Sequence, residues 1–145
     1  MDDRSLFTKI VDGDIPASFI AKGDGWVAFL DINPRATGHT LVVPVEQAQR
    51  IRELSPTARA ALIEGVSESS RKLCTHFEVD DCTIVTHDGP DAGQEIPHVH
   101  VHVIPRSPRD GGRSILAMFP DTPPIGTTEP DFAALNTLAD ELSKV

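Results

Sequence analysis

The spacing of apolar and polar residues changes several times along the chain, and each change marks an element. Residues 6–11 form a short apolar piece that predicts one or two helical turns, closed by Asp12-Gly13-Asp14 and Pro16. Residues 18–21 and 26–30 flank the turn-rich Lys22-Gly23-Asp24-Gly25, the pattern of a β-hairpin. Asn33-Pro34 and Gly38 then break the chain before a β-branched run at 40–43, which Pro44 ends. Ser55-Pro56 is a helix start, with a serine to cap and a proline at the first helical position. Leu62, Val66, Leu73 and Phe77 follow at spacings of four, seven and four, one apolar stripe on a helix. Residues 82–86 and 98–104 read as two further strands. Residues 107–130 carry five prolines and three glycines and predict an irregular segment, and the remainder, 131–145, reads as a terminal helix. The order is hairpin, strand, long helix, two strands. It favours a single α+β domain over 1–145, with an antiparallel sheet of about five strands covered on one face by the long helix.

Composition narrows what such a domain can do. The chain has 145 residues, 39% hydrophobic and 24% charged, enough for one self-sufficient core. Its net charge of −9 argues against a nucleic acid polymer as partner, because phosphate binding by a broad face needs a basic surface. A small anion must instead be held by local donors in a cleft. Acidic residues precede any apolar run at the N-terminus, so no secretory signal is visible, and no apolar stretch is long enough for a membrane span. Cys74 and Cys82 read as free thiols of a cytoplasmic protein.

The chemistry concentrates in His98-Val99-His100-Val101-His102. Side chains two apart on a strand share a face, so the three histidines project together and the valines project to the other side, towards the long helix. Half of the six histidines sit in this one segment. Such a row suits either a metal, since neutral imidazoles two apart can share a zinc, or a nucleophile flanked by proton donors. The preceding Asp88-Gly89-Pro90-Asp91-Ala92-Gly93-Gln94 lets the backbone approach an anion closely, and joined to the histidine row it makes a plausible cradle for phosphate.

The stretch from Gly93 to Arg106 resembles the signature of the histidine-triad (HIT) family. LFTKIVDGDIPA resembles that family's N-terminal segment and AFLDINPRATGHTLVVP its central hairpin, so three motifs match in order over residues 5–106. The resemblance implies an antiparallel α+β fold, a homodimer, and hydrolysis or nucleotidyl transfer through a nucleotidyl-histidine intermediate without a cofactor. In that scheme His100 attacks the α-phosphate of a nucleoside phosphoramidate, nucleotidyl sulfate or dinucleoside polyphosphate, and water releases the nucleoside monophosphate. His98 and His102 would flank the phosphate, His39 would sit behind His100 and fix its tautomer, and His98 or a proton relayed through it would assist the leaving group. Gln94 and the amides of Gly93 and Glu95 would donate to the phosphate, and His87 would face it. Asp31 would take the ribose hydroxyls, and Leu6, Phe7, Ile10, Phe29 and Ile32 would enclose the base. Imidazole suits these roles, because its reference pKa near 6.5 lets lone pairs and proton donors coexist at neutral pH.

The sequence departs from the resemblance in instructive places. Many relatives hold a structural zinc on two cysteines and two histidines, but Ser5 and Thr8 stand at the cysteine positions and Gln47 at one histidine position, which predicts no zinc here. His87 occupies a position that is an amide in many relatives, and Glu95 one that is sometimes serine. The competing reading is a purine nucleotide-binding regulatory module with little or no catalysis.

Overall fold

A computed structural model describes residues 1–112, 127, 129 and 131–144. By its contacts the chain divides into two compact units, Met1–Gly112 and Arg113–Val145. In the first unit the elements are α1 (Leu6–Val11), β1 (Phe19–Gly23), β2 (Trp26–Leu30), β3 (Thr40–Pro44), a 3-10 turn (Ile51–Glu53), α2 (Pro56–Phe77), β4 (Asp81–Val85), a second 3-10 turn (Pro90–Ala92) and β5 (Val101–Arg106). The sheet has five strands in the order β1-β2-β3-β5-β4. Every pair is antiparallel, as the α+β expectation requires. In the second unit α3 spans Phe132–Leu142, and the Asp131 carboxylate accepts the Ala134 N–H at its start. Most of the expected irregular segment 107–130 lies outside the described residues.

The long helix begins where the sequence places it. Ser55 Oγ accepts the Ala58 N–H and Pro56 occupies the first turn, while Glu78 ends the helix in the left-handed region at φ 55°. Leu62, Val66 and Leu73 pack against Trp26, Ala28, Val42, Val99, Val101 and Val103, so the alternate valines do face α2. Gly65 sets how closely α2 approaches the sheet, because a Cβ there would lie 2.7 Å from Val42 Cγ1. A second cluster of Phe7, Ile10, Val27, Phe29, Leu41 and Val43 forms beneath α1.

The strand boundaries are where the pattern misleads. β4 is shifted by one residue from the expected 82–86, and β5 begins at Val101, not at His98. The β3–β5 ladder starts at the Val42↔Val101 pair. Upstream of it the chain leaves the sheet, and the Val99 N–H donates to Ala48 O in the segment after β3. His98 and His100 therefore stand on the approach to β5, and only His102 lies within the strand. Alternation of Val with His extends past the ladder because the bend keeps the same inside and outside.

Candidate active site

Hydrogen bonds assign a tautomer to each imidazole of the site, since a carbonyl can only accept and a backbone N–H can only donate. His98 is fully buried, and its Nε2 donates to Pro44 O at 2.9 Å. Its Nδ1 must then accept, and Ser5 Oγ–H donates to it at 2.6 Å. Around that serine, Thr8 Oγ1 donates to Gln47 Oε1 at 2.8 Å, Ser5 N–H donates to the same oxygen at 2.7 Å, and Gln47 Nε2 donates to Asp3 O. The positions that carry zinc ligands in the resemblance thus meet here as two hydroxyls, an amide and a histidine bound to one another. Such an oxygen-rich, already saturated set fits zinc poorly, because structural zinc takes thiolate and imidazole.

His100 Nδ1–H donates to His98 O at 2.7 Å. Its Nε2 therefore carries the lone pair and has no hydrogen-bond partner among the described residues. The ring rests edge-on against Phe7 at 5.0 Å and against His102 at 5.2 Å. Burial is the main cause that lowers its pKa and favours the neutral ring, opposed by the bond to His98 O.

His102 has the opposite tautomer. Arg35 N–H donates to His39 Nδ1 at 3.0 Å, which fixes the proton on His39 Nε2. That proton is donated to His102 Nδ1 at 2.9 Å, leaving an N–H on His102 Nε2. Burial first, then the neighbouring His100, His39 and His87, lower the His102 pKa to about 4. Burial likewise lowers His39 and His98. The expected contact of His39 with His100 is not formed: His39 stands against His102, and the backbone carbonyl of His98 holds the His100 ring instead. His98 is equally displaced from its expected role. With both ring nitrogens engaged and no exposure, it is a support for His100 and not a group flanking the phosphate.

Asp31 follows β2 with its carboxylate half-buried. Oδ1 accepts the Asn33 N–H at 2.8 Å, and Oδ2 lies 3.5 Å from His39 Nε2. Among the described residues Asp31, His39 and His102 are the set with ligand atoms close enough to share an ion, all within 4.8 Å. The Arg35 N–H argues against that use. It keeps the proton on His39 Nε2, the nitrogen whose lone pair a metal would need. The row His98-His100-His102, the metal alternative left open by spacing, fails because His98 has no free nitrogen.

The glycine loop also differs from expectation. Ala92 N–H and Gln94 N–H donate to Gly89 O, and Gly93 N–H donates to Pro90 O, so these amides are spent within the turn. Gln94 is buried, its Nε2 donates to Gln49 O at 2.8 Å, and its Oε1 has no partner. Of the expected loop donors, the Glu95 N–H is the one without a partner among the described residues, and the Glu95 side chain is exposed. His87 stands over Gly93, donating Nδ1–H to Ala92 O at 2.7 Å, with its ring 5.8 Å from that of His102. Of the residues expected around a base, Phe7, Ile10 and Phe29 belong to the second core cluster, whereas Leu6 is exposed and Ile32 is 92% exposed.

Sequence reasoning did not find the partners that set the tautomers: Pro44 O, His98 O and Arg35 N–H are backbone atoms, which leave no mark on residue identity. Ser5 as a donor to His98 was legible only as a missing cysteine.

A neutral imidazole with its lone pair on Nε2, next to an imidazole presenting an N–H, can serve nucleophilic attack with a hydrogen-bond donor at its side. Comparison with known proteins places it. The family model described as HIT domain matches residues 12–109, and the chain belongs to the HIT family. It is 42% identical over 106 residues, 73% of this chain and 81% of the other, to an uncharacterised HIT-like protein of Methanocaldococcus jannaschii. It is 34% identical over 110 residues, 76% of this chain and 80% of the other, to the adenosine 5′-monophosphoramidase hnt1 of Schizosaccharomyces pombe. A crystal structure of a Streptococcus mutans protein superposes with a TM-score of 0.83 at 33% identity, covering 99% of this chain and 86% of that one. No helix among the described residues is long and apolar enough to cross a membrane.

Proposed function

We propose that the protein is a hydrolase or nucleotidyl transferase that cleaves the α-phosphate linkage of small nucleotides through a nucleotidyl-His100 intermediate. The observation that carries this reading is the bond from His100 Nδ1–H to His98 O, which leaves Nε2 with its lone pair. In the first step Nε2 bonds to the α-phosphorus and the bond to the leaving group breaks. The leaving group departs with its electron pair and takes a proton from solvent water, while His102 Nε2–H, whose Nδ1 accepts from His39 Nε2–H, donates a hydrogen bond to it. The His100 ring becomes cationic, and its charge is stabilised by the carbonyl that already holds Nδ1–H. In the second step water bonds to phosphorus and gives its proton to solvent, and His100 Nε2 leaves with its electrons. A nucleoside monophosphate is released.

In this reading Asp31 accepts the ribose hydroxyls, the exposed Ile32 and Leu6 close on the base above Phe7, Ile10 and Phe29, and Glu95 N–H and His87 border the phosphate. The substrates are nucleoside phosphoramidates, nucleotidyl sulfates or dinucleoside polyphosphates, and the working unit is a homodimer. The test is turnover of adenosine 5′-phosphoramidate and a dinucleoside polyphosphate, with quench and intact-mass detection of the nucleotidylated protein. His100→Ala is expected to abolish both the adduct and turnover while nucleotide still binds. Turnover that survives in His100→Ala refutes the mechanism, and tight nucleotide binding with no turnover by the wild type identifies a binding module.

A further inference from the structure

We infer that Cys74 and Cys82 form a dithiol site that a small-molecule disulfide oxidises to an intrachain disulfide, strapping the end of α2 to β4. The two thiols are free and only partly buried, and their sulfurs lie 3.7 Å apart, the distance of direct contact. The chemistry is independent of what the histidine cluster binds.

The fold brings the pair together from two elements whose main chains are fixed separately. Cys74 is in the last turn of α2, and its carbonyl accepts the N–H groups of both Glu78 and Val79. Glu78, Val79 and Asp80 then turn the chain into β4. Cys82 is held there by its ladder, opposite Pro105 of β5, and packs on the core cluster beneath α2. Both main chains are already in place, so the step to an S–S bond of about 2 Å falls on the side-chain torsions. Burial pushes the Cys82 thiol up; its hydrogen bond with Ser70 opposes the shift and Cys74 adds to it. Cys82 thus rests protonated, and no charge drives the two sulfurs apart. A metal is the competing use of two thiols, but structural zinc takes four ligands. Among the described residues the one set of three or more ligating groups is Asp31, His39 and His102, so the pair lacks the further ligands.

The oxidant is a disulfide of the glutathione type. The thiolate of one cysteine attacks a sulfur of it, forming a mixed disulfide and expelling one small thiolate. The second cysteine gives its proton to solvent and attacks the protein sulfur of that mixed disulfide, and the second small thiolate leaves. The two cysteines are oxidised, the small disulfide is reduced to two thiols, and the electrons balance. The bond acts on an edge strand, because β4 is paired with β5 alone. That pairing runs from Asp81↔Arg106 to Val85↔His102, and Thr86, the next residue, donates its hydroxyl to His100 O at 2.7 Å. A strap at Cys82 therefore holds the strand that borders His102 and tethers the main chain at His100.

The experiment equilibrates the full chain in mixtures of reduced and oxidised glutathione, quenches with acid, blocks the remaining thiols with a maleimide and reads the intact mass. Wild type is expected to pass from two blocked thiols to none without an accumulating glutathione adduct. It should run as a single chain on a non-reducing denaturing gel and yield a peptide joining Cys74 to Cys82. At least one of Cys74→Ser and Cys82→Ser, which lack the second thiol, is expected to retain a glutathione adduct under the same conditions. In the oxidised wild type the β4 amides are expected to exchange hydrogen at least about threefold more slowly, and dithiothreitol should reverse this. Wild type that stops at glutathione adducts, links two chains or keeps both thiols at the most oxidising ratio overturns the inference. A bridged protein with unchanged β4 exchange overturns the strapping of β4. Each of these results leaves the nucleotide reading standing.

Discussion

Replacing Ser5 by alanine removes two things at once, and the structure gives the size of each. Ser5 Oγ is the N-cap of α1, accepting the Thr8 N–H at 3.0 Å, and an Ala at such a position costs about 1 kcal/mol. It is also the donor to Nδ1 of His98, a ring with no solvent access. Leaving that nitrogen without a donor costs about 1–3 kcal/mol. Thr8 cannot fill the gap free of charge. Its Oγ1 lies 3.4 Å from the same nitrogen, but its proton is committed to Gln47, so turning it round only moves the loss to Gln47. The two losses share one side chain and do not simply add. The expectation is about 2–3 kcal/mol in urea unfolding followed by circular dichroism, or roughly 6–10 °C in Tm for a chain of this size. Ser5→Thr keeps the hydroxyl and should lose less than about 1 kcal/mol. The catalytic consequence is smaller, because His100 is held by the backbone of His98 and not by its ring. A Ser5→Ala protein within about 0.5 kcal/mol of wild type would show that His98 is not stabilised through Ser5.

Three further outcomes follow from the same geometry. His102, lowered to about 4 in the folded protein, titrates near 6.5 when unfolded, so the unfolded state binds more protons between those values. Its contribution, about 3 kcal/mol by that difference, is present above pH 6.5 and lost as pH falls towards 4, and His39, His98 and His100 shift in the same direction. Denaturation of wild type and His102→Asn at pH 5 and 7.5 should show a shallower acid loss in the variant. His39→Ala leaves His102 without the donor that sets its tautomer and is expected to lower kcat about 100-fold with KM within about threefold. Steady-state kinetics checks it, and a loss confined to KM would contradict a role for His39 in orienting His102. Gly65→Ala places a Cβ 2.7 Å from Val42 Cγ1 and 2.8 Å from the Trp26 ring and is expected to cost about 1–3 kcal/mol despite the better helix propensity of alanine, which unfolding titration reads directly.

What the sequence reveals about this protein divides along a physical line. Elements whose identity depends on side-chain period or on a capping residue are legible: the Ser55-Pro56 start, the Leu62-Val66-Leu73 stripe and the Val99-Val101-Val103 face all form as the pattern reads. The start of β5 is not, because a strand ends where its ladder partner ends, and His98 reads as strand although the chain there bonds to Ala48. The same division runs through the site. The alternating pattern brought His98, His100 and His102 together and the resemblance added His39 and Asp31, but which ring touches which was decided by β3 and β5 register, with Leu41↔His102 setting His39 beside His102.

The register has a chemical consequence that residue identity alone does not carry. A row of identical imidazoles on one face has no built-in distinction between nucleophile, acid and support, since each can hold its proton on either nitrogen. Here three backbone groups make the distinction. Pro44 O holds the proton of His98 on Nε2, His98 O holds that of His100 on Nδ1 and leaves Nε2 the lone pair, and the Arg35 N–H, acting through His39, leaves His102 with an N–H on Nε2. The assignments of His98 and His100 are therefore a property of the main chain, whereas that of His102 also needs the His39 ring.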